Sequence, residues 1–197
     1  SASVSLVVAA EDGAEVHMGE GYRVERRAAA LDFSAAGREA GLRASSLLGA
    51  SRAKGGKRSV LFEPWVAGEF LELLAELLSA EEVQGGRSLL AGKLGQSIAS
   101  PLVTLRDDPR RSSGLGSSRF DDEGLPTCDK AMIEAGVLRG FFHDTSSAAR
   151  EGLVSNGCAY RGSYASLPGP GASNLYLAPG TVTREALIAD TKSGLLV

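Results

Sequence analysis

The sequence predicts an α+β fold, and three observations carry that prediction. Short runs rich in Val, Leu, Ile and Tyr sit between Asp-Gly and Ala-Gly turns, the mark of hairpins. Longer segments repeat apolar residues at helical spacing behind capping residues. Of the 197 residues 43% are apolar, ordinary for a core-forming chain, which at this length is one large domain or one domain and part of a second.

From the amino terminus, Ser3 to Ala9 and Glu15 to Arg26 read as two strands joined through Asp12-Gly13. In the second strand Val16, Met18, Tyr22 and Val24 are expected to face a core, with His17, Glu20, Arg23 and Glu25 toward water. Asp32 or Ser34 caps a helix reaching about Leu48, with Ala35, Leu42, Leu47 and Leu48 as its apolar stripe and Gly49 at its end. SRAKGGKR at 51–58 reads as a linker between a first unit, 1–50, and a second, 59–197. Ser59 to Phe62 reads as a short buried strand. Pro64 then opens a helix whose Trp65, Phe70, Leu73, Leu74, Leu77 and Leu78 are assigned to the core.

Further along, Ser88 to Leu94 is expected to form a short helix. Ile98 to Leu105 is expected to form an edge strand marked by Pro101, and 107–118 a loop. Lys130 to Glu134 and Val137 to His143, around Ala135-Gly136, predict a second hairpin, followed by a short helix at Thr145 to Glu151. Gly, Pro and Ser dominate Tyr160 to Ser173, which predicts a shaped loop; a strand at Asn174 to Ala178 and a helix capped by Thr183 follow. The closing GLLV reads as the start of another strand.

Charge and motifs exclude several functions. The 21 basic and 24 acidic side chains give a net charge of −3 without a block of like charge, which favours neither nucleic acid nor an anionic membrane. Glu69, Glu72 and Glu76 interrupt the longest apolar stretch, so it is no membrane span. The start has no basic segment, apolar run or initiator Met, so the expectation is an interior cut rather than a signal peptide. Two cysteines thirty positions apart predict free thiols in a reducing cytoplasm. Cys128, His143 and Cys158 are equally spaced, yet the spacing matches no zinc pattern, and FFHDTSS holds no nucleophile elbow. Asp121, Asp122, Glu123 and Gly124 form either a solvated turn or one held by backbone amides, a cation or a helix N-terminus.

Taken together, SRFDDEGLPT, IEAGVLRGFFHDTSSAAREGL, SNGCAYRGSY and SNLYLAPG, preceded by RSVLFEPWVAGEFLELLAELLSA and SLLAGKLGQSI, resemble the TldD/PmbA family. The founding members of that family form a two-subunit bacterial zinc protease acting on peptides. The resemblance implies the end of an α/β amino-terminal domain followed by a mostly β carboxy-terminal domain, both incomplete here because relatives are longer. In the catalytic subunit a helix bearing HExxxH and a later cysteine hold zinc. AGEFLELLAELLSA, where such a helix would be sought, contains no histidine. That is similar to the PmbA (TldE) branch, and Cys158 is not equated with the family's cysteine ligand.

The expectation is therefore a non-metal subunit of a cytoplasmic peptidase complex, with no catalytic or metal residue and no cofactor in this chain, and zinc in a TldD-like catalytic partner. Its partners would be a peptide substrate and either that catalytic subunit or a second copy, with neither nucleic acid nor membrane. Arg161, Tyr164 and Asn174 would line or shape the peptide groove, while Asp121, Asp122, Glu123 and Gly124 brace a turn. The alternative is a stand-alone peptide-binding or regulatory module that adds extended chains to the Pro101-bearing sheet edge. The family's older association with DNA gyrase suggests a third, nucleic-acid reading, which the acidic balance disfavours.

Overall fold

Gly13, at φ +59°, supplies the left-handed first position of a two-residue turn with Ala14. That turn joins β1 (Ala2–Asp12) to β2 (Glu15–Glu25) in unbroken antiparallel register, from Ala2 opposite Glu25 to Asp12 opposite Glu15. The computed structural model describes all 197 residues, and its contacts divide into two units, Ser1–Lys57 and Arg58–Val197. Helices and strands are mixed throughout, so the fold is α+β. No helix is long and apolar enough to cross a membrane.

In the first unit the hairpin carries helix α1 (Phe33–Ser46), which Asp32 caps by accepting the Ala35 N–H at 2.8 Å. The packing reverses the expected faces. Ala36, Ala40 and Ala44, four apart, are fully buried, and they lie on Gly19 and Gly21 of β2. A Cβ at Gly21 would stand 1.9 Å from the Ala36 carbonyl oxygen, and one at Gly19 2.2 Å from that of Ala40. Only bare backbone admits the helix so closely. The face of β2 holding His17, Gly19, Gly21 and Arg23 is therefore the inner one, whereas Val16 and Met18, expected inside, are exposed. Leu42 and Leu47 are likewise exposed, because an alanine ridge and not a leucine stripe meets the sheet.

The second unit opens with β3 (Ser59–Leu61), which pairs in parallel with β10 (Gly194–Leu196) and is exposed rather than buried. Helix α2 (Pro64–Leu77) begins at Pro64 as expected, but Trp65, Phe70 and Leu73 are exposed. Only Leu71, Leu74, Ala75 and Leu77 pack against the core, and Leu78 just beyond is fully buried. Ala80–Gln84 forms α3, which is not among the expected helices, and Ser88 to Leu94, expected to be a helix, is a succession of turns. Pro101 lies in a turn, and the strand starts later, as β4 (Leu105–Asp107). β4 is internal: β5 (Lys130–Glu134) and β6 (Val137–Leu138) lie on one side and β9 (Leu175–Leu177) on the other, in the antiparallel order β6-β5-β4-β9. The 95–98 segment covers the outer side of β6, Leu138 accepting the Gly95 N–H (2.9 Å) and donating to the Gln96 carbonyl (3.0 Å), so the open edge is β9.

Ala135 at φ +46° and Gly136 at φ +80° make the β5–β6 connection, both residues left-handed as a type I′ turn requires. Helix α4 (Thr145–Arg150) starts at a capping box formed by Asp144 and Ser147. β7 (Ala159–Tyr160) and β8 (Gly169–Pro170) close the loop between them. Thr183 caps α5 (Arg184–Asp190). The core of this unit gathers Leu78, Leu105, Met132, Leu138, Phe142 and Cys158, each at most 1% exposed.

Candidate functional site

The site begins at a buried carboxylate. Asp107, at the end of β4, is completely buried, and its Oδ1 accepts hydrogen bonds from Ser173 N (2.8 Å), Ser173 Oγ (2.9 Å) and Asn174 N (2.8 Å). Lys130, also buried, stands 3.6 Å from Oδ2 and donates to the Cys128 carbonyl, so the charge is not left alone in the core. Asn174, fixed in this way, reaches across to the 108–118 loop. Its Nδ2 donates to the Asp108 carbonyl (2.8 Å) and Ser117 Oγ (2.9 Å), and its Oδ1 accepts the Gly116 N–H (3.0 Å). Gly114 and Gly116 permit the contact, since a Cβ on either would come within 2.5 Å of Asn174 Oδ1 or the Ser173 carbonyl oxygen.

This clamp shapes a cleft of about 600 Å³. Leu71 and Glu72 of α2 form one wall, Arg111 and Leu115 of the loop another, and Leu175 and Tyr176 of β9 the third. The Arg111 guanidinium lies over the Tyr176 ring, 4.2 Å from its centroid. β9 also offers a free edge. The Asn174 carbonyl accepts the Asp108 N–H and the Ala178 N–H donates to the Thr104 carbonyl, so by antiparallel alternation the N–H and C=O of Leu175 and Leu177 turn away from β4. Apolar walls, one cation, one anion and unpaired strand amides suit an extended polypeptide segment.

Of the three groove candidates, only Asn174 lines this cleft. Arg161 and Tyr164 lie on the 161–168 loop, where Arg161 donates to the Ser166 carbonyl and the Ser163–Ser166 turn holds the tip. Tyr164 is 98% exposed there. The acidic turn is tied into the second unit through its carboxylates. Asp121 accepts the N–H groups of Glu123, Leu125 and Ala159; Asp122 accepts that of Arg161; Glu123 accepts both the N–H and the hydroxyl of Thr145 at the start of α4. Gly124 turns the chain at φ +82°. Asp107, Arg111 and Tyr176 were not singled out from the sequence. The only local signal was the DDPRR and SNLYL punctuation around them, and their juxtaposition depends on pairing across more than sixty positions.

Cys128 and Cys158 both lie against Asn156, and His143 meets Cys158 only through its backbone carbonyl. Cys158 Sγ lies 2.7 Å from Asn156 Oδ1 and 3.4 Å from the His143 carbonyl, while Cys128 Sγ faces the Asn156 carbonyl at 3.8 Å. Burial pushes the Cys158 thiol up to about 12, against the opposing pull of Lys130. These are thiols on amide and carbonyl oxygens. Helix α2 contributes Glu69, Glu72 and Glu76 without a histidine, and no three His, Cys, Asp or Glu side chains are grouped to hold a metal ion. The donor set does not fit zinc.

Comparison with known proteins places these features in context. Residues 55–197 match the PmbA/TldA metallopeptidase C-terminal domain. A metalloprotease of Methanothermobacter thermautotrophicus is 33% identical over 96% of this chain and 42% of its own length. TldE from Thermococcus kodakarensis superposes with a TM-score of 0.90 at 28% identity, over 99% of this chain and 44% of that one. A Thermotoga maritima protein named for modulation of a DNA gyrase gives 0.91 at 33% identity, over 98% and 44%. The chain thus spans less than half the length of these relatives.

Proposed function

This chain belongs to the PmbA/TldD metallopeptidase family, and from that premise we propose that it serves as a non-metal, TldE-like subunit of a peptide-processing complex. The observation that carries this reading is helix α2, where AGEFLELLAELLSA presents glutamates and leucines but no histidine. The similarity to a structure named TldE supports the same branch. In this reading zinc resides in a TldD-like catalytic subunit, and the complex works in the cytoplasm. The present chain receives part of an extended peptide in the cleft beside β9, with Asn174 holding the cleft open, while the loop bearing Arg161 and Tyr164 borders the peptide path.

Metal analysis and a peptide-cleavage assay on the full-length protein, alone and mixed with a catalytic homologue, test the reading. The expected result is cleavage only in the mixture. Stoichiometric zinc with activity in the isolated protein would sink it. The open β9 edge also favours a second reading, a stand-alone module that binds extended peptides without proteolysis. A one-to-one complex with a catalytic homologue, measured by light scattering, rules that second reading out.

A further inference from the structure

The cleft holds two charges that the rest of the protein leaves unused. Arg111 and Glu72 both line it, and neither forms an ion pair within the chain. They come from different walls, Glu72 from α2 and Arg111 from the 108–118 loop. The Arg111 backbone is pinned, its carbonyl accepting from Gly114 N (3.1 Å) and Ser117 Oγ (2.5 Å). Ser117 is in turn held by Asn174. With its guanidinium laid on the Tyr176 ring, the side chain is oriented before any ligand arrives.

A planar guanidinium stacked on an aromatic ring keeps its edge N–H donors free, and that edge matches a carboxylate through two parallel hydrogen bonds. Pre-orientation lowers the entropy lost when those bonds form. We propose that Arg111 is a carboxylate anchor, so that the cleft selects extended peptides carrying a carboxylate next to an apolar side chain. Glu72 sets the ligand's direction, because a carboxylate on the α2 side meets repulsion and one on the β9 side meets Arg111. This inference rests on the reading of the cleft as a peptide site. The carboxylate comes either from an acidic side chain or from a peptide C-terminus.

Three fluorescein-labelled hexapeptides separate these sources in an anisotropy titration of the full-length protein. They are Ala-Val-Leu-Glu-Val-Ala amide, its Gln isostere as the amide, and that Gln peptide as the free acid. The proposal expects one of the two carboxylate-bearing peptides to bind about tenfold more tightly than the Gln amide, the order of one accessible charge-assisted contact. Arg111→Met is expected to weaken that carboxylate-bearing peptide about tenfold more than the Gln amide, so that the difference between them disappears, and Arg111→Lys restores part of it. Equal binding of all three peptides, or an equal loss for all three in Arg111→Met, overturns the carboxylate anchor but leaves the peptide cleft standing. Absence of binding by any peptide overturns both.

Discussion

Gly19 and Gly21 show how much one missing methyl group decides. Each sits where a Cβ would enter the backbone of α1, so Gly19→Ala or Gly21→Ala must push the helix off the sheet. We expect either substitution to destabilise the first unit by about 2 kcal/mol or more, read as a lowered urea midpoint. Gly37→Ala is the contrast: its nearest neighbour is the Leu6 side chain at 3.9 Å, and a helical Gly→Ala exchange contributes about 0.5–1 kcal/mol of stability. Cys158 carries a pH dependence. Its folded thiol is raised from 9.0 to about 12, and burial raises the Tyr160 phenol to about 12 as well. The folded chain keeps protons that the unfolded chain releases, so this stability is complete below about pH 9 and is lost as pH rises toward 12. Denaturation at stepped pH should show that decline, with a shallower slope in Cys158→Ala.

Elements rather than single residues make the cleft. Asn174 supports no sheet by its side chain; it ties the end of one strand to a loop some sixty positions earlier. Asn174→Ala deletes three hydrogen bonds and should cost about 1–3 kcal/mol. It should also raise hydrogen exchange across 109–118 and abolish peptide binding. If exchange there is unchanged, the clamp is not what holds the loop. Helix α4 responds differently, because both Asp144 and Glu123 satisfy its first N–H groups. Asp144→Ala should cost about 1 kcal/mol without altering peptide binding, since none of these residues lines the cleft.

For the whole molecule, the boundary between Lys57 and Arg58 lies at the end of an exposed segment containing Arg52, Lys54, Lys57 and Arg58. Brief trypsin treatment should cut within 52–58 before it cuts either unit, giving fragments identified by mass spectrometry. Early cleavage inside 130–160 would contradict the division. The local grammar of the chain was largely legible. Gly13, Ala135-Gly136, Asp32, Pro64 and Thr183 mark turns and caps whose causes lie within a few residues of each mark. Helix and strand types follow from such signals, as does the fold class. The motifs that resemble the family likewise stand in the sequence itself, and the match over 55–197 agrees with them. Which face of an element is buried was not legible. Periodicity marks a stripe on Glu15–Glu25, but the depth at which α1 docks depends on Ala36 and Ala40 meeting two glycines in another element. Only the tertiary structure decided that the stripe of Val16 and Met18 faces outward, that β9 and not the Pro101 segment is a sheet edge, and that Asp107, Arg111 and Tyr176 share one cleft. Those outcomes come from close packing between segments far apart in sequence, where a single Cβ or one buried carboxylate settles which approach is allowed.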